Sequence, residues 1–248
     1  MKDSKNFFVD VKSGLIVSCQ ALEDEPLHGA EVMGKMAIAA KMGGAVGIRA
    51  NGLKDISAIR RVVDLPVIGL IKRDYMNSTV YITPTKKEVD ELLLSGVQMI
   101  AIDATRRDRP GGESLEALVS YIHSKDRLVM ADISTFEEGV YAEEIECDCV
   151  STTMSGYTPY STQSVEPDFT LIDQLVKKLS IPVFAEGRIS TPEQANKALQ
   201  LGAHTVVVGS AITRPQDITK KFVNLISKDG HEHDKHNATN EKQIRRAY

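Results

Sequence analysis

Charged and polar side chains follow the apolar runs of this 248-residue chain, each at the point where a run ends. Lys72 follows the run VIGLI, while Asp132 and Glu186 end the runs VMAD and FAE. Lysine and carboxylate groups that share one site can act as general acids and bases. The candidate functional residues at these run ends are Gln20, Arg49, Asn51, Lys72, Asp74, Asp103, Asp132, Thr152, Thr153, Glu186, Ser210 and Arg214.

A second kind of chemistry is indicated by residues 182–215, which read as strand, loop, helix, strand, loop. Gly187 and Gly209 follow the two strands, where a residue without Cβ lets the backbone approach a ligand closely. Each loop leads into a helix start, whose free N–H groups favour an anion. We therefore predict a phosphate site between the two loops, to which Ser210, Arg188 or Arg214 can add hydrogen bonds.

Strand-like and helical patterns alternate eight times along the chain. Short runs rich in Val and Ile begin near Leu15, Ala45, Val67, Met99, Leu128, Cys149, Val183 and Thr205. Helical patterns cover Ala30–Met42, Leu53–Val62, Lys86–Ser95, Ser114–Ser124, Thr135–Glu144, Asp168–Leu179, Thr191–Leu201 and Pro215–Ser227. Continuously apolar strands are typical of a parallel sheet that helices cover. The pattern predicts an α/β fold, a single-domain (β/α)8 TIM barrel.

An open, doubly wound sheet gives similar local patterns, so the two folds are distinguished by the sequence that follows the first strand. A dinucleotide-binding sheet has a glycine-rich fingerprint after that strand. The sequence found there is VSCQALEDEPLHG, which lacks the fingerprint and favours the barrel. In a barrel, catalytic residues lie in the loops at the carboxyl ends of the strands, and the last two such loops often bind phosphate. Both kinds of candidate residue are therefore expected at one mouth.

Some polar residues are better explained by structure than by chemistry. Thr135 and Glu138 have the spacing of a helix capping box. Gly96 and Gly202 follow helices, where a left-handed residue turns the chain into the next strand. Asp103 is expected to be an ion partner at the barrel rim.

Beyond Ser227 the sequence is polar and has no periodicity. We expect the barrel to occupy residues 1–228 and a mobile tail to occupy residues 229–248. Three histidines of this tail have metal-like spacing, but in a mobile segment they are expected to bind metal only adventitiously; they are His231, His233 and His236. No dedicated metal site is predicted.

Composition narrows the choice of partner and compartment. The net charge of −4 and the pI near 5.9 argue against a nucleic-acid surface and leave a small anionic ligand open. Cys19, Cys147 and Cys149 form no CxxC pair and indicate reduced thiols in a cytosolic protein. No run approaches the roughly 20 apolar residues of a membrane span, and the first residues lack a signal peptide's apolar core. We expect a cytoplasmic protein without membrane association.

The run ends contain a series of phrases in a recognisable order: VSCQA, EPLHG, GIRANG, VIGLIKRDY, ITPT, IAIDAT, MADIST, DCVSTTMSGYT, FAEGRI and VVVGSAITRP. Over roughly residues 7–227 the chain thereby resembles the N-acylmannosamine-6-phosphate 2-epimerases. The resemblance implies a barrel enzyme that interconverts N-acetylmannosamine 6-phosphate and N-acetylglucosamine 6-phosphate in sialic acid catabolism. It implies no cofactor and a small sugar phosphate as partner, and a homodimer is compatible with it.

The resemblance also implies roles for single residues. Lys72 matches the acid/base lysine of the family, and Glu186 matches the glutamate that acts beside it. The positions that match contacts to the sugar and its N-acetyl group are Gln20, Arg49, Asp132, Thr153 and Tyr157. The positions that match the phosphate end are Gly187, Arg188, Gly209, Ser210 and Arg214.

The implied reaction is consistent with the residues present. Removing the C2 proton of an open-chain aldose gives an enolate, because the C1 aldehyde is adjacent, and no redox cofactor is needed. Lysine has a pKa near 10.4, which burial and nearby cations lower and carboxylates raise. The sequence does not decide which effect is larger for Lys72. Arg49 or a backbone N–H could stabilise the oxyanion.

Two other functions remain open from the sequence. Lys72 could form a Schiff base with a sugar carbonyl in an aldolase-like enzyme. The chain could also be a sugar-phosphate sensor, for which we expect phosphate loops without acid/base groups.

Overall fold

Eight parallel strands form a closed barrel in the computed structural model, which describes residues 6–226. Each strand pairs with the next along the chain, and the eighth pairs with the first. The strands are β1 Leu15–Cys19, β2 Gly47–Asn51, β3 Val67–Leu70, β4 Met99–Asp103, β5 Leu128–Asp132, β6 Cys149–Ser151, β7 Val183–Glu186 and β8 Thr205–Val208. The predicted single-domain (β/α)8 barrel is confirmed, although β2 begins two residues later than its apolar run.

Helices follow every strand and cover the outside of the barrel, and one further short helix precedes the first strand. They are α1 Phe7–Val11, α2 Ala30–Met42, α3 Leu53–Val62, α4 Lys86–Leu93, α5 Leu115–His123, α6 Phe136–Glu144, α7 Phe169–Lys178, α8 Pro192–Gln200, α9 Ser210–Thr213 and α10 Pro215–Ile226. The capping box of Thr135 and Glu138 is present at the start of α6. Gly96 and Gly202 have positive φ angles of 67° and 99°, as expected for left-handed residues after a helix.

Alternating strand residues separate a core inside the barrel from two apolar clusters outside it. Side chains that point inward fill the barrel, and those that point outward pack against the helices. In β3 the inner core receives Ile68 and Leu70, whereas Ile71 just beyond the strand belongs to the outer core. The direction in which Lys72 points is therefore set by the pleat of the strand before it.

One end of the barrel is closed by aromatic packing. Helix α1 places Phe7 in the inner core, and Phe8 lies edge-on to Phe184 of β7 with ring centroids 6.2 Å apart. His204 stacks on Phe184 at 5.8 Å and contacts the carbonyl oxygen of Phe8 at 2.7 Å. Because the amino ends of the strands are closed in this way, the carboxyl ends form the open mouth.

Helix α10 differs from the other helices because none of its residues is buried. Its apolar side chains Phe222, Leu225 and Ile226 are exposed. Among the described residues, no helix combines the length and the apolar character required to cross a bilayer. The predicted tail at 229–248, with its three histidines, lies outside the described residues.

Candidate active site

Lys72 and Glu186 reach the mouth from opposite sides of the barrel. Lys72 follows β3 and Glu186 ends β7, and these strands lie four positions apart in a ring of eight. The backbone N–H of Lys72 donates to Asn51 Oδ1 at 2.9 Å, and Lys72 forms a bridge with Ile82 of the following loop. The chain around Lys72 is thus fixed by β2 and by its own loop, so the side chain starts from a defined position.

Arg49 connects two carboxylates inside the mouth. Its Nη2 lies 2.6 Å from Asp132 Oδ2, and its Nη1 lies 3.0 Å from Asp132 Oδ1 and 2.9 Å from Glu186 Oε2. The Arg49 and Asp132 side chains are 0% exposed, and that of Glu186 is 3% exposed. One buried cation therefore faces two buried acids, an arrangement that holds the carboxylates close but leaves their charges only partly balanced.

Hydroxyl groups at the end of β6 complete the same cluster. Thr153 Oγ1 donates to Asp132 Oδ1 at 2.8 Å and lies 3.1 Å from Glu186 Oε2. Ser151 Oγ lies 3.2 Å from Glu186 Oε2 and 2.7 Å from Thr153 Oγ1. Thr153 was among the residues predicted from the sequence, whereas Ser151 was missed. A serine two residues before Thr153 and in register with Asp132 is the signal that could have revealed it.

The surroundings change the pKa values of both candidate acid/base groups. Burial, followed by the charges of Arg214 and Arg49, lowers the pKa of Lys72 to about 7, although Glu186 and Glu25 oppose the shift. Burial raises the pKa of Glu186, and the charge of Asp132 adds to this while Arg49 opposes it. The lowered pKa of Lys72 and the raised pKa of Glu186 bring the proton affinities of the two groups closer together. This favours proton exchange through a substrate held between them.

Gln20 lies at the β1 side of the mouth and is buried. Its Nε2 donates to Ser18 Oγ at 2.7 Å, whereas its Oε1 is buried and has no hydrogen-bond partner among residues 6–226. Unpaired buried acceptors are rare and costly in folded proteins. The orientation leaves the amide oxygen ready to accept from an N–H or O–H group.

The loops after β7 and β8 bring their glycines to the rim. Gly187 has a φ of 104°, and a Cβ there would lie 3.5 Å from the carbonyl oxygen of Thr152. Gly209 precedes the short helix α9, which begins at Ser210, and a Cβ on Gly209 would lie 3.4 Å from the Ser18 side chain. Both distances are ordinary van der Waals contacts, so it is the left-handed φ of Gly187 that favours glycine in this part of the mouth.

The two arginines of the predicted phosphate site have different surroundings. Arg188 has a left-handed φ of 58°, lies over the Tyr157 ring at 5.6 Å, and donates from Nε to the Glu166 carbonyl at 3.0 Å. Its side chain thus joins the loop after β6. Arg214 donates to Glu25 from Nε at 2.7 Å and from Nη2 at 2.5 Å, and its charge acts on Lys72. The structure therefore brings Arg214 to the acid/base pair, whereas Arg188 packs against the loop after β6.

Several polar residues near the mouth have structural partners. Asp103 forms an ion pair with Arg107 and accepts from the Thr105 hydroxyl at 2.6 Å, in agreement with its expected role at the rim. Tyr81, which was not predicted from the sequence, is buried, and its hydroxyl lies 3.6 Å from Met154 Sδ. Burial and the charges of Asp103 and Asp132 raise the pKa of this hydroxyl. Its phrase VYITPT contains no charged group that would have marked it.

The three cysteines are free thiols, as expected from their spacing, and the structure shows that all three are buried. Burial raises the pKa of Cys19 and of Cys147 to about 12, so both stay protonated at neutral pH. They contribute to packing and not to the charged cluster.

The fold and the mouth together define a (β/α)8-barrel protein whose strand ends carry a buried cluster of cationic and acidic side chains. Residues 33–228 match the family described as "Putative N-acetylmannosamine-6-phosphate epimerase". The chain belongs to this family, and it is an isomerase of the epimerase class.

Individual relatives agree with the family match. Two proteins named "Putative N-acetylmannosamine-6-phosphate 2-epimerase" are 62% identical over 216 residues in Clostridium perfringens strain SM101 and 60% identical over 216 residues in Clostridioides difficile strain 630. The alignments cover 87% of this chain and 98% and 97% of those proteins.

Two solved structures have folds similar to that of this chain. The N-acetylmannosamine-6-phosphate 2-epimerase from Clostridium perfringens superposes with a TM-score of 0.87 at 61% identity, covering 88% of this chain and 96% of that one. A thiamine phosphate pyrophosphorylase from Pyrococcus furiosus superposes with a TM-score of 0.58 at 18% identity over 86% of this chain and 93% of that one, a likeness of fold alone.

Proposed function

We propose that this chain interconverts N-acetylmannosamine 6-phosphate and N-acetylglucosamine 6-phosphate by deprotonation and reprotonation at C2, in sialic acid catabolism. The observation that carries the proposal is the position of Lys72 and Glu186 on opposite strands of one mouth, with pKa values shifted toward each other. The family match and the names of the relatives support the choice of substrate.

Inversion at C2 needs one group on each face of the sugar. In one direction the neutral amine of Lys72 removes the C2 proton, and the C–H electron pair forms the enolate with C1. The protonated carboxyl of Glu186 then gives its proton to the opposite face. Carbon oxidation states do not change between the epimers, so the reaction requires no redox cofactor.

Lys72 and Glu186 together carry one exchangeable proton in the active form of the site. After the step above, Lys72 is an ammonium and Glu186 is a carboxylate, and this is the form that runs the reverse reaction. For isolated side chains with pKa values of 10.5 and 4.5, the neutral pair is strongly disfavoured relative to the ion pair. The burial of both groups reduces that difference, which is the physical contribution of the mouth.

The remaining residues bind and orient the sugar phosphate. Arg49 keeps Asp132 and Glu186 in place and offers positive charge for the C1 oxyanion, while the free Gln20 oxygen suits the N-acetyl N–H. In this proposal Thr153 and Tyr157 contact the sugar. The loops at Gly187 and Gly209 and the Arg214 side chain form the phosphate end.

Proton NMR of N-acetylmannosamine 6-phosphate with the protein in D₂O tests the proposal. We expect the epimer to accumulate with deuterium at C2, without added NAD and after EDTA treatment. Epimerisation with full retention of the C2 hydrogen would exclude the enolate. An enzyme trapped covalently by borohydride with its substrate would instead favour a Schiff base on Lys72.

The cytoplasmic location and the homodimer remain predictions of the same proposal. The three free thiols agree with a reducing compartment, and the exposed apolar side chains of α10 supply a surface that a second chain could cover.

A further inference from the structure

Strands β1 and β8 are neighbours in the closed barrel, and the loop between β1 and α2 contacts the end of the loop that follows β8. Glu25 lies in this loop, and both of its carboxylate oxygens accept from Arg214, at 2.7 Å from Nε and 2.5 Å from Nη2. The two side chains are 15% and 8% exposed. A bidentate pair at this burial fixes the plane of the guanidinium as well as its position.

Other bonds hold Glu25 itself in place. The Leu22 N–H donates to Glu25 Oε1 at 3.2 Å, and Gln216 Nε2 lies 3.3 Å from Oε2. The Glu25 backbone takes part in a turn, because its N–H donates to the Leu22 carbonyl and its carbonyl accepts from His28. The carboxylate is therefore a fixed acceptor rather than a mobile surface charge.

The pair lies beside the acid/base site. Arg214 exerts the largest effect of any single charge on the Lys72 amine, and Glu25 also acts on the same amine. On the β8 side, the hydroxyl of Thr213 donates to the Ser18 carbonyl at 3.1 Å, which ties the end of α9 to β1. Arg214 thus lies between the predicted phosphate end and the Lys72 amine.

We propose that Glu25 is a positioning residue that holds the guanidinium of Arg214 at the phosphate end of the mouth. Glu25 does not touch the substrate; it acts through Arg214, because the bidentate pair fixes the position and plane of the guanidinium. This inference rests on the proposed function, because it assigns the anion held by Arg214 to the 6-phosphate.

Steady-state kinetics of Glu25→Gln, Arg214→Met and the double variant test this role. Glu25→Gln should raise KM for N-acetylmannosamine 6-phosphate about tenfold, with kcat changed less than about threefold, because a charge-assisted bidentate pair is lost. In the Arg214→Met background the same substitution should change KM by less than about twofold. Glu31→Gln, at an exposed pair with Lys35 in α2, is the control for charge and should leave both constants unchanged.

The outcomes separate positioning from other roles. An unchanged KM in folded Glu25→Gln would contradict the proposal. An equal rise in KM in the Arg214→Met background would also contradict it, because Glu25 would then act on the structure and not through Arg214. A lower KM would also overturn it, since the carboxylate would then compete with the phosphate for Arg214.

A second readout covers variants that fold poorly and does not depend on turnover. Inorganic phosphate should raise the melting temperature of the wild type and of Glu31→Gln more than that of Glu25→Asp, which keeps the charge but shortens the reach. Equal shifts in all three proteins would refute the positioning role. Absence of epimerisation in a wild type that phosphate still stabilises would refute the proposed function and not the role of Glu25.

Discussion

Lys72 and Arg73 are consecutive cations with opposite surroundings. Lys72 continues the inward series of Ile68 and Leu70, and burial together with Arg214 and Arg49 lowers its pKa to about 7. Arg73 continues the outward series and forms ion pairs with Glu88 and Glu91 of α4. The Arg73 side chain is 32% exposed, and its two acidic partners raise its pKa.

The difference shows how a strand end assigns chemistry. The side chains of a strand alternate between two faces, so a shift of one residue exchanges the interior for the helix layer. The inner position desolvates a cation and places it beside other cations, while the outer position pairs it with carboxylates. Only the inner cation can change protonation state near neutral pH, and we therefore expect catalysis to depend on one neighbour and not on the other.

The strongest test of the comparison replaces the inner cation. Lys72→Met should lower kcat by a factor on the order of 10²–10⁴, because a general acid/base is removed while the apolar stem is kept. Circular dichroism and phosphate-induced stabilisation should show that the variant is folded and still binds the anion. Near-normal turnover in a folded Lys72→Met protein would move the base to Glu186 or Asp132.

The phosphate end provides the next largest effect. Unphosphorylated N-acetylmannosamine should have a kcat/KM lower by at least about 10², since it would lack the bonds that we propose from Gly187, Gly209, Ser210 and Arg214 to the phosphate. The same end should make Arg214→Ala mainly a KM variant. Comparable kcat/KM values for the two sugars would show that this end of the mouth is not an anion site.

The pH dependence of activity reports the inner cation directly. The Lys72–Glu186 pair must hold one proton, so kcat/KM should fall about tenfold for each pH unit above its higher apparent pKa. That pKa belongs mainly to Lys72 and should lie near 7, in both reaction directions. If activity instead stayed constant up to about pH 10, near the ordinary lysine value of 10.5, Lys72 would not be desolvated in the working enzyme.

The smallest effect on turnover is expected at the outer cation. Arg73→Met should change kcat less than about threefold, and it should lower the free energy of unfolding by about 1–3 kcal/mol, because the buried Glu88 carboxylate loses a partner. Glu88 keeps bonds from Thr85 and from the Tyr75 hydroxyl, which limits the loss. Urea denaturation beside a kinetic assay measures both quantities. A large fall in kcat at unchanged stability would erase the distinction between the two neighbours.

Local patterns were sufficient to predict the order and type of nearly all elements. The apolar runs, the capping box at Thr135 and the glycines at 96 and 202 are each specified by neighbours in sequence, and the structure agrees with them. The start of β2 was placed too early because Ala45 and Val46 are apolar but precede Gly47, the first residue of the strand. The Val46 N–H already donates to the Leu15 carbonyl at 2.9 Å, so an apolar run alone does not mark the first residue of regular strand pairing.

Pairing between distant residues could not be predicted in the same way. The sequence placed Arg49, Asp132 and Glu186 at one mouth, but the bonds that join them depend on barrel closure and side-chain torsions. For the same reason Ser151 and Glu25 were missed, since each gains its role from a partner more than 30 residues away. Arg188 and Arg214 looked equivalent beside their glycines, and only the structure distinguishes their partners.

The most direct test of the two-sided mouth is hydrogen exchange at C2 in D₂O with each acid/base group removed in turn. In Glu186→Gln, Lys72 should still exchange the C2 hydrogen of one epimer without inverting it, and in Lys72→Met, Glu186 should exchange that of the other epimer. We expect opposite epimers for the two variants, each recovered without epimerisation. Exchange of the same epimer by both variants would place Lys72 and Glu186 on one face and contradict the two-sided mechanism.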